Sequence, residues 1–200
     1  MAKLNFRYGA MNCGKSDIMI STAYNYTENG LEVVTMMPGF MMRKPGYTTS
    51  RAGKERAIDI TTDDETDVYS AYTNYIGDRA IACVLVDEAT FMAPRQIDDL
   101  ERIAKVDNTS VIAYGIRGNI QRELFPAAKR LFELADHIEK LPTMCRCGQQ
   151  AEYNGRFVDG DFHVGEPIVW IDNNPERVRY QSMCAGCYIE HYESEGAVIQ

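Results

Sequence analysis

Gly9-Ala10-Met11-Asn12-Cys13-Gly14-Lys15-Ser16 decides how this chain is read. The stretch fits G-x-x-x-x-G-K-[ST], a loop that wraps a nucleotide's phosphates in its own backbone N–H groups. The two glycines let the backbone turn tightly and approach phosphate without a Cβ in the way. Lys15 is placed to reach the outer phosphates, and Ser16 to offer its hydroxyl to Mg²⁺. Chance produces such a match in a chain of this length with a probability on the order of 1%. The flanks fit as well. Lys3 to Tyr8 alternates apolar and polar residues as a half-buried strand does, and Ser16 to Asn29 reads as a helix ended by Gly30.

Downstream, Ile81-Ala82-Cys83-Val84-Leu85-Val86-Asp87-Glu88 is an apolar run closed by two acids. That pattern is a buried parallel strand whose carboxyl end faces a site. Asp87 suits the holding of Mg²⁺ opposite the phosphate loop, and Glu88 is placed to take a proton from an attacking hydroxyl. Cys83, inside the apolar run, reads as core.

The remaining first 140 or so residues alternate strands with helices. Leu31 to Met37, Ala57 to Ile60 and Thr109 to Tyr114 read as strands; Asp63 to Ile76, Pro94 to Lys105 and Pro126 to His137 read as helices. The expected fold is α/β with a mainly parallel sheet. Tyr69, Tyr72 and Tyr75 form a packing stripe on one of the helices. Arg43 to Arg56 shows little periodicity and carries five basic residues against one acid, Glu55. A long loop without secondary structure of its own is uncommon in a compact domain unless it serves a site. It is either a solvated loop or a flexible basic arm over the nucleotide.

After residue 141 the composition shifts towards Gly, Asn and Asp, bracketed by Cys145-Arg146-Cys147-Gly148 and Cys184-Ala185-Gly186-Cys187. Two close cysteine pairs mark a zinc ribbon, in which thiolates replace the core that so small a unit cannot build. Cys145, Cys147, Cys184 and Cys187 are the expected ligands of a structural Zn²⁺, since four sulfurs leave no open position for catalysis. Val164 to Trp170 and Val178 to Met183 read as short strands between them. The domains expected are 1–141, nucleotide-binding, and 142–200, the ribbon.

Composition narrows the function. The net charge of −8, from 21 basic and 29 acidic side chains, opposes general nucleic-acid binding, which needs a positive face. No apolar run approaches the roughly 20 residues that span a bilayer. The first residues lack an apolar signal core, so the chain is expected to stay in the cytoplasm, where its six cysteines serve metal or thiol chemistry.

A phosphate loop near the N-terminus, Leu85-Val86-Asp87-Glu88-Ala89-Thr90-Phe91, Tyr114-Gly115-Ile116-Arg117-Gly118, Glu123-Leu124-Phe125 and Tyr180-Gln181-Ser182-Met183-Cys184 together resemble the type II, cytosolic thymidine kinases over nearly the whole chain. The resemblance implies a RecA-like domain plus zinc ribbon, usually a homotetramer, that moves the γ-phosphoryl of ATP to the 5′-hydroxyl of thymidine. Residue by residue it implies that Gly9 to Ser16 holds the phosphates, Asp87 helps hold Mg²⁺, and Glu88 is the general base. It further implies that Met11 and Phe91 line the thymine pocket, Tyr180 meets the nucleoside, and Arg51 lies in the basic lasso. The chain departs from the pattern at Thr90 (usually glutamine), at Ile120 (often phenylalanine) and in the clamp Val169-Trp170-Ile171-Asp172-Asn173-Asn174-Pro175. Relaxed base selectivity would follow, with deoxyuridine or a broader pyrimidine set as the rival substrate. A rival of another class is an ATP-switched nucleic-acid binder, disfavoured by the ribbon's lack of basic excess.

Overall fold

The computed structural model describes residues 1–169 and 177–194, which fall into two units. The first comprises Met1–Tyr8, Gly14–Gly115 and Phe125–Lys140. Its elements are β1 (Leu4–Tyr8), α1 (Lys15–Glu28), β2 (Val33–Pro38), β3 (Tyr47–Thr49), β4 (Glu55–Ala57), β5 (Ile60–Thr62), α2 (Val68–Ile76), β6 (Cys83–Val86), α3 (Pro94–Lys105), β7 (Ser110–Gly115), α4 (Pro126–Leu134) and β8 (His137–Lys140).

Six strands form one sheet in the order β5-β2-β6-β7-β1-β8, and every pairing in it is parallel. A parallel sheet needs cover on both faces, and β6 shows how this sequence supplies it. All four of its residues are buried, with Val84 and Val86 entering the core shared with Ile97, Leu100 and Ile103 of α3 and Leu131 of α4. Cys83 and Leu85 turn to the opposite face, against Met19, Ile20 and Ala23 of α1. Such burial contributes about 1.5–3 kcal/mol per large aliphatic side chain. It also aims the carboxyl ends of β1 and β6 at one edge of the sheet, separated only by β7. Two strand spacings put them about 10 Å apart.

The expected α/β, mainly parallel fold is present, with local corrections. Asp63 does not begin a helix. Its carboxylate accepts from the Glu65 N–H at 3.1 Å and from the Thr66 hydroxyl at 2.5 Å, while buried Gln96 donates to the carbonyls of Asp63 and Thr66. α2 starts at Val68, with the Asp67 carboxylate accepting from Ser70 N at 2.7 Å as its cap. Of the tyrosine stripe, Tyr72 is buried, whereas Tyr75 is exposed and donates to Asp59 at 2.8 Å. α4 ends at Leu134 rather than His137, because His137–Lys140 pairs with β1 as a sixth strand. The Arg43 to Arg56 stretch is not structureless: β3 and β4 form an antiparallel hairpin within it.

The second unit comprises Gly9–Cys13, Ile116–Leu124 and Leu141–Gln200. It contains β9 (Tyr153–Val158), β10 (Asp161–Phe162), β11 (Val178–Met183) and α5 (Ala185–Ser194). Its three strands form an antiparallel sheet in the order β10-β9-β11. Phe157, Phe162, Met183 and Tyr188 make a small core beside it. Val178 to Met183 is a strand as expected, but residues 164–169 form none, and Trp170 lies outside the described residues. No helix among the described residues is long and apolar enough to cross a membrane.

Candidate active site

α1 begins directly on the phosphate-loop motif. Gly14, its N-cap, has φ 79° and no side chain with which to cap the helix. Gly14 therefore adds no side-chain acceptor to the first turn, and the dipole at this end of the helix favours an anion. Lys15 is the first helical residue and is buried; Ser16 follows, half-buried. On the other side of the motif, Gly9 has no room for a side chain, since a Cβ there would meet Cys13 Sγ at 2.5 Å and Leu141 O at 3.0 Å. Asn12 adopts a left-handed φ of 68°. Ala10 is buried, and Cys13 is partly exposed.

At the end of β6, Asp87 is fully buried and both carboxylate oxygens accept hydrogen bonds. Oδ2 accepts from the Thr48 hydroxyl at 2.6 Å and Oδ1 from the Glu88 N–H at 3.0 Å. Glu88 is a non-glycine residue with φ 51°, a strained geometry of the kind found at functional sites. Burial raises its carboxyl from the ordinary 4.5 to about 7, Asp87 adds to the rise, and the charges of Lys15 and Arg43 oppose it. A carboxyl poised near neutrality, with positive charge acting on it, is suited to accepting a proton.

The basic hairpin reaches this site through more than one residue. Thr48 sits on β3, and at the turn Ser50 and Lys54 bond Asp17 of α1 at 3.3 and 3.1 Å. Arg51 is exposed at the turn, and desolvation together with Arg43 lowers its guanidinium below the ordinary value. Arg43, which acts on both Glu88 and Arg51, was not distinguishable in the sequence from the other bases of the stretch. Phe91 packs edge-on to Phe125 at 5.0 Å and to Phe40 at 6.3 Å, so one wall here is aromatic. Thr90 is buried against Gly115, where an added Cβ would meet its methyl at 2.4 Å.

Within the second unit, the Met11 backbone is held by two strands. Its N–H donates to Asn154 Oδ1 of β9 at 2.7 Å, and its carbonyl accepts from the Ser182 hydroxyl of β11. Tyr180 lies on β11, paired in register with Arg156 of β9. Arg156 is fully buried, with its guanidinium on the carbonyls of Gly165 and Pro167 and 2.7 Å from His163 Nδ1. It gathers the segment that leads towards the expected clamp. Ile120 is buried, and its carbonyl accepts from the Tyr188 hydroxyl. Residues 170–175 of the clamp lie outside the described residues.

The sulfurs of Cys145, Cys147, Cys184 and Cys187 all lie within 4.8 Å of one another. The Cys147–Cys184 separation of 3.6 Å is close to the roughly 3.8 Å edge of a tetrahedral zinc–thiolate site. The tight C-x-C spacing works because Cys145 to Gln149 is a turn, with Gly148 N on Cys145 O at 2.9 Å and Cys145 N on Gln149 O at 2.8 Å. The second pair uses the start of α5, where Cys187 N–H points at Cys184 Sγ at 3.5 Å. Desolvation opposes ionisation of Cys145, but backbone N–H groups of Cys147 and Cys184 outweigh it and bring the thiol to about 6. The donor set and its spacing fit a structural metal.

A family model described as thymidine kinase matches residues 2–188. The thymidine kinase of Agrobacterium fabrum is 37% identical over 194 residues, covering 96% of this chain and 98% of its own. That of Chromobacterium violaceum is 36% identical over 193 residues, covering 94% and 98%. The thymidine kinase of Enterobacteria phage T4 is 36% identical over 167 residues, covering 83% and 86%. With full-length likeness of this kind added to a glycine loop, an Asp-Glu pair at the end of β6 and a four-cysteine cluster, the chain belongs to the thymidine kinase family.

Proposed function

We propose that this protein is an ATP-dependent thymidine kinase, transferring the γ-phosphoryl group of ATP to the 5′-hydroxyl of thymidine to give dTMP. The observation that carries this reading is Glu88, a carboxyl raised to about 7 beside Lys15 and Asp87. Phosphoryl transfer asks mostly for positioning and charge neutralisation. Gly9 to Ser16 hold the phosphates, Lys15 neutralises the outer ones, and Glu88 accepts the 5′-hydroxyl proton. Asp87 and Ser16 hold Mg²⁺, which when bound supplies charge neutralisation at the phosphates. Met11, Phe91 and Tyr180 contact the nucleoside. Arg43 and Arg51 bring positive charge from the hairpin arm. Cys145, Cys147, Cys184 and Cys187 hold a structural Zn²⁺, which supplies folding energy to residues 142–200. The same reading carries a cytoplasmic homotetramer.

The test is thymidine-dependent ADP formation by wild type and Glu88→Gln. The reading expects wild type to turn over and the variant to bind ATP while losing most of its rate. Absence of thymidine-dependent turnover in the wild type would overturn it.

A further inference from the structure

We propose that Asn154 and Ser182 are positioning residues for nucleotide binding, clamping the two peptide planes on either side of Met11 so that the phosphate loop keeps one shape. The inference rests on the nucleotide-binding reading of residues 9–16.

The geometry is specific. Asn154 and Ser182 face each other in the β9–β11 register, so their side chains project from one face of the sheet. Both are buried, at 5% exposure each. One takes the Met11 N–H at 2.7 Å, and the other gives its hydroxyl proton to the Met11 carbonyl. These groups belong to consecutive peptide planes, so together the bonds fix the rotation of the chain at Met11. The next residue, Asn12, is left-handed at φ 68°, a conformation that costs on the order of 1 kcal/mol and persists only where its surroundings enforce it. A loop that binds phosphate through backbone N–H groups gains affinity from having them aimed beforehand. A rigid two-strand sheet is a suitable base for that aim.

A purely structural role makes a different prediction. If the two side chains only satisfied buried backbone groups, their loss would lower stability and leave the affinity of the folded protein unchanged. Calorimetric titration of the full chain with ADP separates the two. Asn154→Ala and Ser182→Ala are each expected to weaken ADP binding about tenfold, equivalent to about 1.4 kcal/mol. Ser182→Thr, which keeps the hydroxyl, is expected to return to within about twofold of wild type. The double alanine variant is expected to lose less than the product of the single effects, because both bonds orient one residue. Melting temperature is read on the same samples. Folded alanine variants with ADP affinity within twofold of wild type would overturn the clamp. So would an equal loss in Ser182→Ala and Ser182→Thr. If one alanine variant does not fold, the other decides, since each breaks a different end. A wild type that does not bind ADP would instead remove the nucleotide reading beneath the proposal.

Discussion

The Thr48 hydroxyl donates to Oδ2 of Asp87 at 2.6 Å, joining the basic hairpin to the acid at the end of β6. At 1% and 0% exposure, neither partner has water as an alternative. The hairpin's ion pair to α1, Lys54 with Asp17 at 3.1 Å, is largely exposed and contributes at most about 1 kcal/mol. A buried hydrogen bond to a charged acceptor contributes about 1.5–3 kcal/mol, so Thr48 is the stronger tie. Thr48→Val is expected to raise the Mg²⁺ concentration for half-maximal rate several-fold, because Asp87 loses the donor that orients it. Thr48→Ser should behave nearly as wild type. Magnesium titrations of the three proteins that superimpose would contradict this.

The raised carboxyl of Glu88 gives the proposed function a pH dependence. In the proposed role of base it must be ionised, so kcat/KM should rise about tenfold per pH unit below 7 and level off above it. Glu88→Gln should lose about 10²–10⁴-fold in rate, the usual range for a positioned base. A flat wild-type profile between pH 5.5 and pH 8 (roughly the span over which a group near 7 titrates) would remove Glu88 from this role.

Stability should move the opposite way. The folded state binds the Glu88 proton more tightly than the unfolded chain does, so stability falls as pH rises from about 4.5 to about 7. Above that window the protein carries a partly desolvated carboxylate at a left-handed backbone position. Glu88→Gln should therefore raise the melting temperature at pH 8 and leave it little changed at pH 4, where the wild-type group is already neutral. A lower melting temperature for the variant at pH 8 would show that the carboxylate stabilises the fold instead.

The parts of this site that were legible in the sequence are those fixed by local pattern. β6 reads clearly because a strand buried on both faces must be continuously apolar, and its closing acids then stand out. The phosphate loop reads because its glycines and Lys15 are a few residues apart. β8 was hidden, since His137-Ile138-Glu139-Lys140 is a sheet edge with no apolar run, and only pairing with β1 makes it a strand. Asn154 and Ser182 meet Met11 across 143 and 171 residues, and a polar residue in a short strand carries no mark of such a contact. Arg43 failed for a related reason. Five bases in one polar stretch look alike until the hairpin folds and selects one.

That selection is testable. Both arginines are exposed, but of the two only Arg43 is among the charges that oppose the rise of the Glu88 carboxyl. Arg43→Ala should therefore reduce kcat more than tenfold, and Arg51→Ala by less than about threefold. Steady-state kinetics of both variants decides the order. The reverse ranking would return the assignment to Arg51.

The cysteine cluster makes a prediction about thiol chemistry that needs no activity assay. Of the six cysteines, four belong to the cluster and two, Cys13 and Cys83, do not. Cys83 is fully buried, and desolvation raises its thiol to about 12, so it should not react while the fold holds. Cys13 is partly exposed. In the zinc-loaded protein the four cluster sulfurs are tied up as ligands, leaving a single thiol, Cys13, open to an aromatic disulfide reagent. A strong chelator should release about one zinc per chain and expose about four more thiols. It should also lower the melting temperature, because the small core of Phe157, Phe162, Met183 and Tyr188 cannot hold the second unit unaided. Cys147, the exposed member of the cluster, gives the contrary outcome its signature. If no metal is held, Cys147 reacts at once, at least two thiols titrate before any chelator is added, and the chelator changes neither the count nor the melting temperature.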